Sequence, residues 1–83
     1  MVITAKNIIG KPVITKGGAV LGKVSDFEVD VNTRVVVNFF VQGSILLGVL
    51  TIASSQIIDI TNDKVIVEDM AMPDGGIEIK VAY

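Results

Sequence analysis

The spacing of apolar and polar positions along the chain predicts strands almost throughout. Residues 11–15 form a first short strand, with Pro12 near its start, where a missing N–H is tolerated. Lys16-Gly17-Gly18 follows as a turn, because glycine takes positive φ without steric cost. Residues 20–31 make a long second strand whose parity changes part-way. Val24 is apolar on even numbering, whereas Phe27, Val29 and Val31 are apolar on odd numbering. A one-residue slip turns every side chain to the other face, so this pattern predicts a bulge or strong bend near Ser25-Asp26. Asn32-Thr33 then supplies a hairpin turn into a third strand over residues 34–41. There Val35, Val37, Phe39 and Val41 occupy one face, and Val36 and Phe40 occupy the other beside Asn38.

Residues 45–52 are again apolar on both faces. Residues 54–59 fit a single helical turn anchored by Ile57, Ile58 and Ile60, and Thr61-Asn62-Asp63 makes another turn. Residues 64–68 form a strand with Val65 and Val67 facing one way. Residues 70–74 read as a linker containing Pro73. Beyond them Ile77, Ile79, Val81 and Tyr83 alternate with Glu78, Lys80 and Ala82, the pattern of a strand exposed on one side. Upstream, Asn7-Ile8-Ile9-Gly10 reads as a turn or short entry segment. The expected organisation is one all-β domain over residues 1–73 and an extension over 74–83 that adds a strand. No internal repeat or low-complexity tract interrupts it.

Composition sharpens this picture in one respect. Of the 83 residues, 51% are hydrophobic and 26 are Val or Ile, too apolar for a disordered segment. A domain of this size buries only about 60–65% of its unfolded surface. More apolar material is present than such a monomer easily hides, so a partner surface is expected. Strands apolar on both faces need covering on both sides, and so small a domain has no second layer to do it. The surplus falls on Val36, Phe40, Ile45, Leu46 and Leu47, which form the candidate protein interface. The odd-numbered members of the third strand belong to the core instead.

The uncharged run over residues 35–58 is long enough to span a bilayer. It holds Asn38, Gln42, Ser44, Thr51 and Gln56, and its Gln42-Gly43-Ser44 cluster would expose backbone groups to lipid. Two buried strands joined by a tight turn fit better. The opening residues lack a basic stretch followed by an apolar one, so no secretory signal is expected. A soluble, cytoplasmic protein without membrane insertion is the expectation.

Candidate chemistry is sparse. With no Cys, the chain has neither disulfides, nor thiol chemistry, nor a zinc ribbon; with no His, it lacks the usual general base. A net charge of −2 and a pI near 4.8 argue against a dedicated nucleic-acid binder. Six Lys and one Arg are scattered rather than interleaved with aromatics. The segment from Gly17 to Val24 matches the GxxxxGK spacing of a phosphate loop. Yet Val24 stands where that loop needs Ser or Thr for magnesium, and strand-like residues follow where it needs a helix. Asp26, Glu28 and Asp30 recur at every second position. On a regular strand such neighbours stand about 6.6 Å apart, too far for all three to hold one cation, although a bulge could bring two together. A solvated acidic face that discourages edge aggregation is the simpler reading. No catalytic residue, cofactor or metal site is expected, and the protein is not expected to be an enzyme.

Read in order, Ile9-Gly10-Lys11-Pro12-Val13, then Gly18 and Leu21-Gly22-Lys23-Val24, resemble the opening of the PRC-barrel family. The resemblance continues through Asp26-Phe27-Glu28-Val29-Asp30, the strand opening with Arg34, a serine-containing element over residues 52–58, and Asp63-Lys64-Val65-Ile66-Val67. Ala53 stands where the family often has Pro. The resemblance implies a small β-barrel of about five or six strands that acts as an adaptor rather than a catalyst. Family members include a domain of the photosynthetic reaction-centre H subunit, a ribosome-maturation protein, and short free-standing proteins common in archaea. Some of the free-standing proteins are implicated in cell division, joining a membrane-anchored protein to other PRC barrels. This chain resembles that group most. The function expected is thus a self-associating adaptor, as a homodimer or with another PRC-barrel protein, in a cell-division scaffold. An RNA- or ribosome-associated module is the alternative.

Overall fold

β-Branched residues dominate the chain, and the computed structural model, which describes residues 2–43 and 48–69, folds them into six strands. These are β1 (Pro12–Thr15), β2 (Val20–Asp30), β3 (Val35–Gln42), β4 (Val49–Ala53), β5 (Ile57–Ile60) and β6 (Val65–Val67). They form one sheet in the order β4-β3-β2-β1-β6-β5. The first four strands follow one another as antiparallel neighbours, the arrangement that short turns favour. A 3-10 turn, Ser54–Gln56, then sends the chain to the opposite edge. There β5 and β6 pair antiparallel, and β6 docks parallel to β1.

One face of this sheet supplies the core. Val13, Leu21, Val24, Phe39, Val41, Leu50, Ile52, Val65 and Val67 are buried together, contributed by β1, β2, β3, β4 and β6. A flat sheet without a second layer cannot bury its own face. The sheet therefore curls on itself as a small barrel, open where β4 and β5 form its two edges. A single helical turn, α1 (Ala5–Ile8), adds Ile8 to the cluster. Thr4 caps that turn by accepting from the Asn7 N–H. Thr15 is the one buried polar residue among those described. Its Oγ1 accepts from the Ala19 N–H at 2.9 Å and so closes the β1–β2 turn.

Irregularities in register give the sheet its bend. Val24 faces Val41 and Asp26 faces Phe40, which leaves Ser25 as the extra residue where the parity change predicts one. A second irregularity lies where the sequence pattern gives no warning. Glu28 pairs with Asn38 and Val29 with Val36, so Val37 is the extra residue on β3. This slip corrects the expected face of the third strand. Phe39 and Val41 are buried, but Val36 turns to pack against the core, while Val35 and Val37 are exposed.

Other elements differ from expectation more mildly. The entry segment is a helical turn rather than a simple turn, and the expected helix over 54–59 is one 3-10 turn followed by β5. The pairing with β6 recruits Ile57 and Ile60 into a strand, with Ile58 as its bulge. The uncharged run becomes β3, β4 and the 3-10 turn in its described parts, and no helix among the described residues is long and apolar enough to cross a membrane. The linker and the strand expected after residue 70 lie outside the described residues.

Candidate functional site

The acidic positions of β2 are engaged in local structure. The Glu28 carboxylate accepts from the Asn38 amide at 2.9 Å across the β2–β3 pair. Asp26 accepts from the N–H of Phe27, beside the Ser25 bulge. Asp30 caps the hairpin, its Oδ1 accepting from Asn32 at 2.8 Å and from Thr33 at 3.2 Å. Among the described residues no three acidic side chains converge as a cation site would require. The phosphate-loop spacing also resolves into strand. Gly17 and Gly18 form the β1–β2 turn, and Gly22, Lys23 and Val24 lie within β2, with no helix after them.

Apolar surface is the more prominent feature. Of the candidate interface residues, Val36 is half-buried against the core, and Phe40 is half-buried on the outer face. Phe40 lines an open hollow of about 380 Å³ with Ser25, Asp26 and Val49, and its carbonyl accepts from the Ser25 hydroxyl. The register slip at Val37 thus places Val36 and Phe40 in different surroundings. Ile45, Leu46 and Leu47 lie outside the described residues.

Sequence reasoning missed two surfaces. The first is the tip of the β2–β3 hairpin, where Val29, Val31, Val35 and Val37 are all exposed, Val31 at 81% and Val35 at 55%. Arg34 sits in the same turn at a φ of 63°, its N–H donating to the Asp30 carbonyl at 2.6 Å. The signal was present in the sequence: apolar residues flank a turn with no later segment assigned to cover them.

The second surface is a broad groove of about 680 Å³ at the other end of the same ribbon. Ile9, Val20, Leu21 and Val24 give it an apolar lining, Gly10, Gly22 and Gly43 a backbone floor, and Lys23 its one charged side chain. Gly22 is required there. Its φ is 149°, and a Cβ at this position would collide with the Gln42 carbonyl of β3. Val20, 68% exposed, forms the outer lip and pairs with Ile14 across the β1–β2 turn.

The entry, the turn glycine, the bulged second strand and the strand after residue 63 recur in the order that the family resemblance implies. The PRC-barrel domain model matches residues 1–72 of the 83. The chain belongs to the PRC-barrel family. A PRC barrel is a non-catalytic fold that serves protein interaction, and the mostly β, open sheet described above is consistent with it. No curated protein matches the chain. In this PRC barrel the motif glycines have identifiable tasks. Gly10, at a φ of 94°, turns the entry so that its N–H donates to the Val24 carbonyl at 2.8 Å, and Val24 returns a bond to the Lys11 carbonyl. The same glycines floor the groove, so the features that make the barrel also make its concave surface.

Proposed function

We propose that this PRC barrel is a non-enzymatic adaptor that associates with copies of itself or with another PRC barrel. The supporting observation is its exposed apolar surface. Val20, Val29, Val31, Val35, Val37 and Ile58 stand in solvent on a chain of only 8.8 kDa. Single exposed apolar residues are ordinary, but four valines gathered at one hairpin tip, with an apolar groove at the ribbon's other end, are the composition of contact surfaces. Affinity would come from burying these side chains, and the acidic positions of β2 would remain wet at the rim. A cell-division scaffold, in which such an adaptor joins a membrane-anchored protein to other barrels in the cytoplasm, is the setting suggested by the short free-standing members.

Light scattering across a concentration series tests the reading. A mass that rises above 8.8 kDa with concentration is the expected result. A monomer at every concentration, with no binding to a second PRC barrel, would overturn it.

A further inference from the structure

We infer that self-association is head-to-tail: the β2–β3 hairpin tip of one copy enters the apolar groove at the opposite end of the ribbon on the next. This rests on the self-association proposed above and specifies its two surfaces. The tip is apolar on both sides: Val31 lies at the turn, Val29 on the face of Val36 and Val35 on the face of Asp30. The groove is concave; Ile9 and Val20 are its exposed apolar side chains, set over the buried Leu21 and Val24, so it matches the tip in polarity. Charge complements as well. Glu28, Asp30 and Arg34 give the tip end a net charge of −1, whereas the groove carries Lys23, with Lys11 next to its lining residue Gly10. Two tips meeting each other would offer surfaces of the same charge. Tip-to-groove contact instead buries the tip in a hollow and brings Asp30 toward Lys23.

The distance between the two surfaces dictates the form of the assembly. β2 runs from one to the other, and at about 3.3 Å per residue they lie roughly 25–30 Å apart. That is most of the 34 Å long dimension of the molecule. When one copy's tip enters the next copy's groove end to end, a free groove and a free tip remain at the two ends, so the contact propagates past two copies as a chain or a larger ring. Each joint involves only a few side chains. That is fewer than the roughly 20–30 residues a side of a standard interface, so the chains grow and shrink with protein concentration.

Complementation by two variants tests this. Val31→Asp places a charge on the tip and Val20→Asp one on the groove lip, both at exposed positions where folding is little affected. The wild-type protein is expected to grow past two subunits as concentration rises in sedimentation velocity. Each variant alone is expected to stay monomeric. Their equimolar mixture is expected to form a 1:1 dimer and stop, because one intact groove and one intact tip remain. A wild-type dimer that does not grow, or a mixture that stays monomeric while the wild type assembles, overturns the head-to-tail contact and leaves self-association standing. A wild-type monomer at every concentration overturns both. Circular dichroism of each variant confirms that loss of assembly is not loss of fold.

Discussion

Val24 and Val41 face each other at the root of the β2–β3 ribbon, each 1% exposed, whereas Val31 and Val35 at its far end stand largely in solvent. Residue type is the same and both lie on the same two strands, yet the two regions have opposite fates. At the root, β1, β4 and β6 curl around the ribbon, and Val13, Ile52, Val65 and Val67 close over its inner face. Past the bulge at Val37 the neighbouring strands have ended; the 3-10 turn reaches the edge there, Ser54 Oγ donating to the Val36 carbonyl, and Val31 and Val35 stay exposed. Burial is therefore set by where partner strands stop, not by the side chain itself. The root holds the fold together, and the tip is free to take part in recognition.

The largest expected effect comes from cutting into the root. Ile52→Ala removes a fully buried side chain from β4 and is expected to cost about 2–5 kcal/mol of unfolding free energy in chemical denaturation. The matched change at the tip, Val31→Ala, is expected to stay within about 0.5 kcal/mol. Comparable losses from the two would break the comparison.

Gly22→Ala comes next. The substitution forces a side chain into a φ of 149° and against the Gln42 carbonyl, and backbone strain alone is expected to cost about 1–3 kcal/mol. Thermal unfolding would register this as a lowered Tm, and an unchanged Tm would show that β2 and β3 can separate at the groove without penalty. The smallest effect lies at the tip. Arg34 adopts a left-handed conformation that glycine accepts more easily, so Arg34→Gly is expected to leave stability unchanged or raise it by up to about 1 kcal/mol. Destabilisation on the same scale as Gly22→Ala would mean that the Arg34 side chain supports the hairpin.

Much of the first part of the barrel was legible before any coordinates. The Ser25 bulge followed from the parity change between Val24 and Phe27, because a strand facing one core cannot change parity without an extra residue. The turn at Gly17-Gly18 and the paired inward faces of Val65 and Val67 were legible for similarly local reasons. The slip at Val37 was not. Val35, Val36 and Val37 are all valine, so the sequence holds no contrast from which to read a face. β5 was missed because Ile57, Ile58 and Ile60 suit a helical turn as well as a strand, and only β6 alongside selects the strand. For the candidate site, the surplus of apolar residues was visible, but it was placed on Val36 and Phe40. The tip left a signal, apolar residues flanking a turn with no segment assigned to cover them, whereas the groove depends on the close approach of Gly22 to β3, which leaves no local mark.

The sequence alone determined an all-β chain with a core of β-branched residues, membership of the PRC-barrel family, and the absence of Cys and His chemistry. The class and the core follow from composition and from patterns with a period of two, which are properties of neighbouring residues, and the family follows from the ordered motifs that its domain model matches. Only the tertiary structure decided which valines are core and which are surface, and that tip and groove lie at opposite ends of one ribbon. Those facts depend on which strands from distant parts of the chain come to lie side by side, and on where each of them ends.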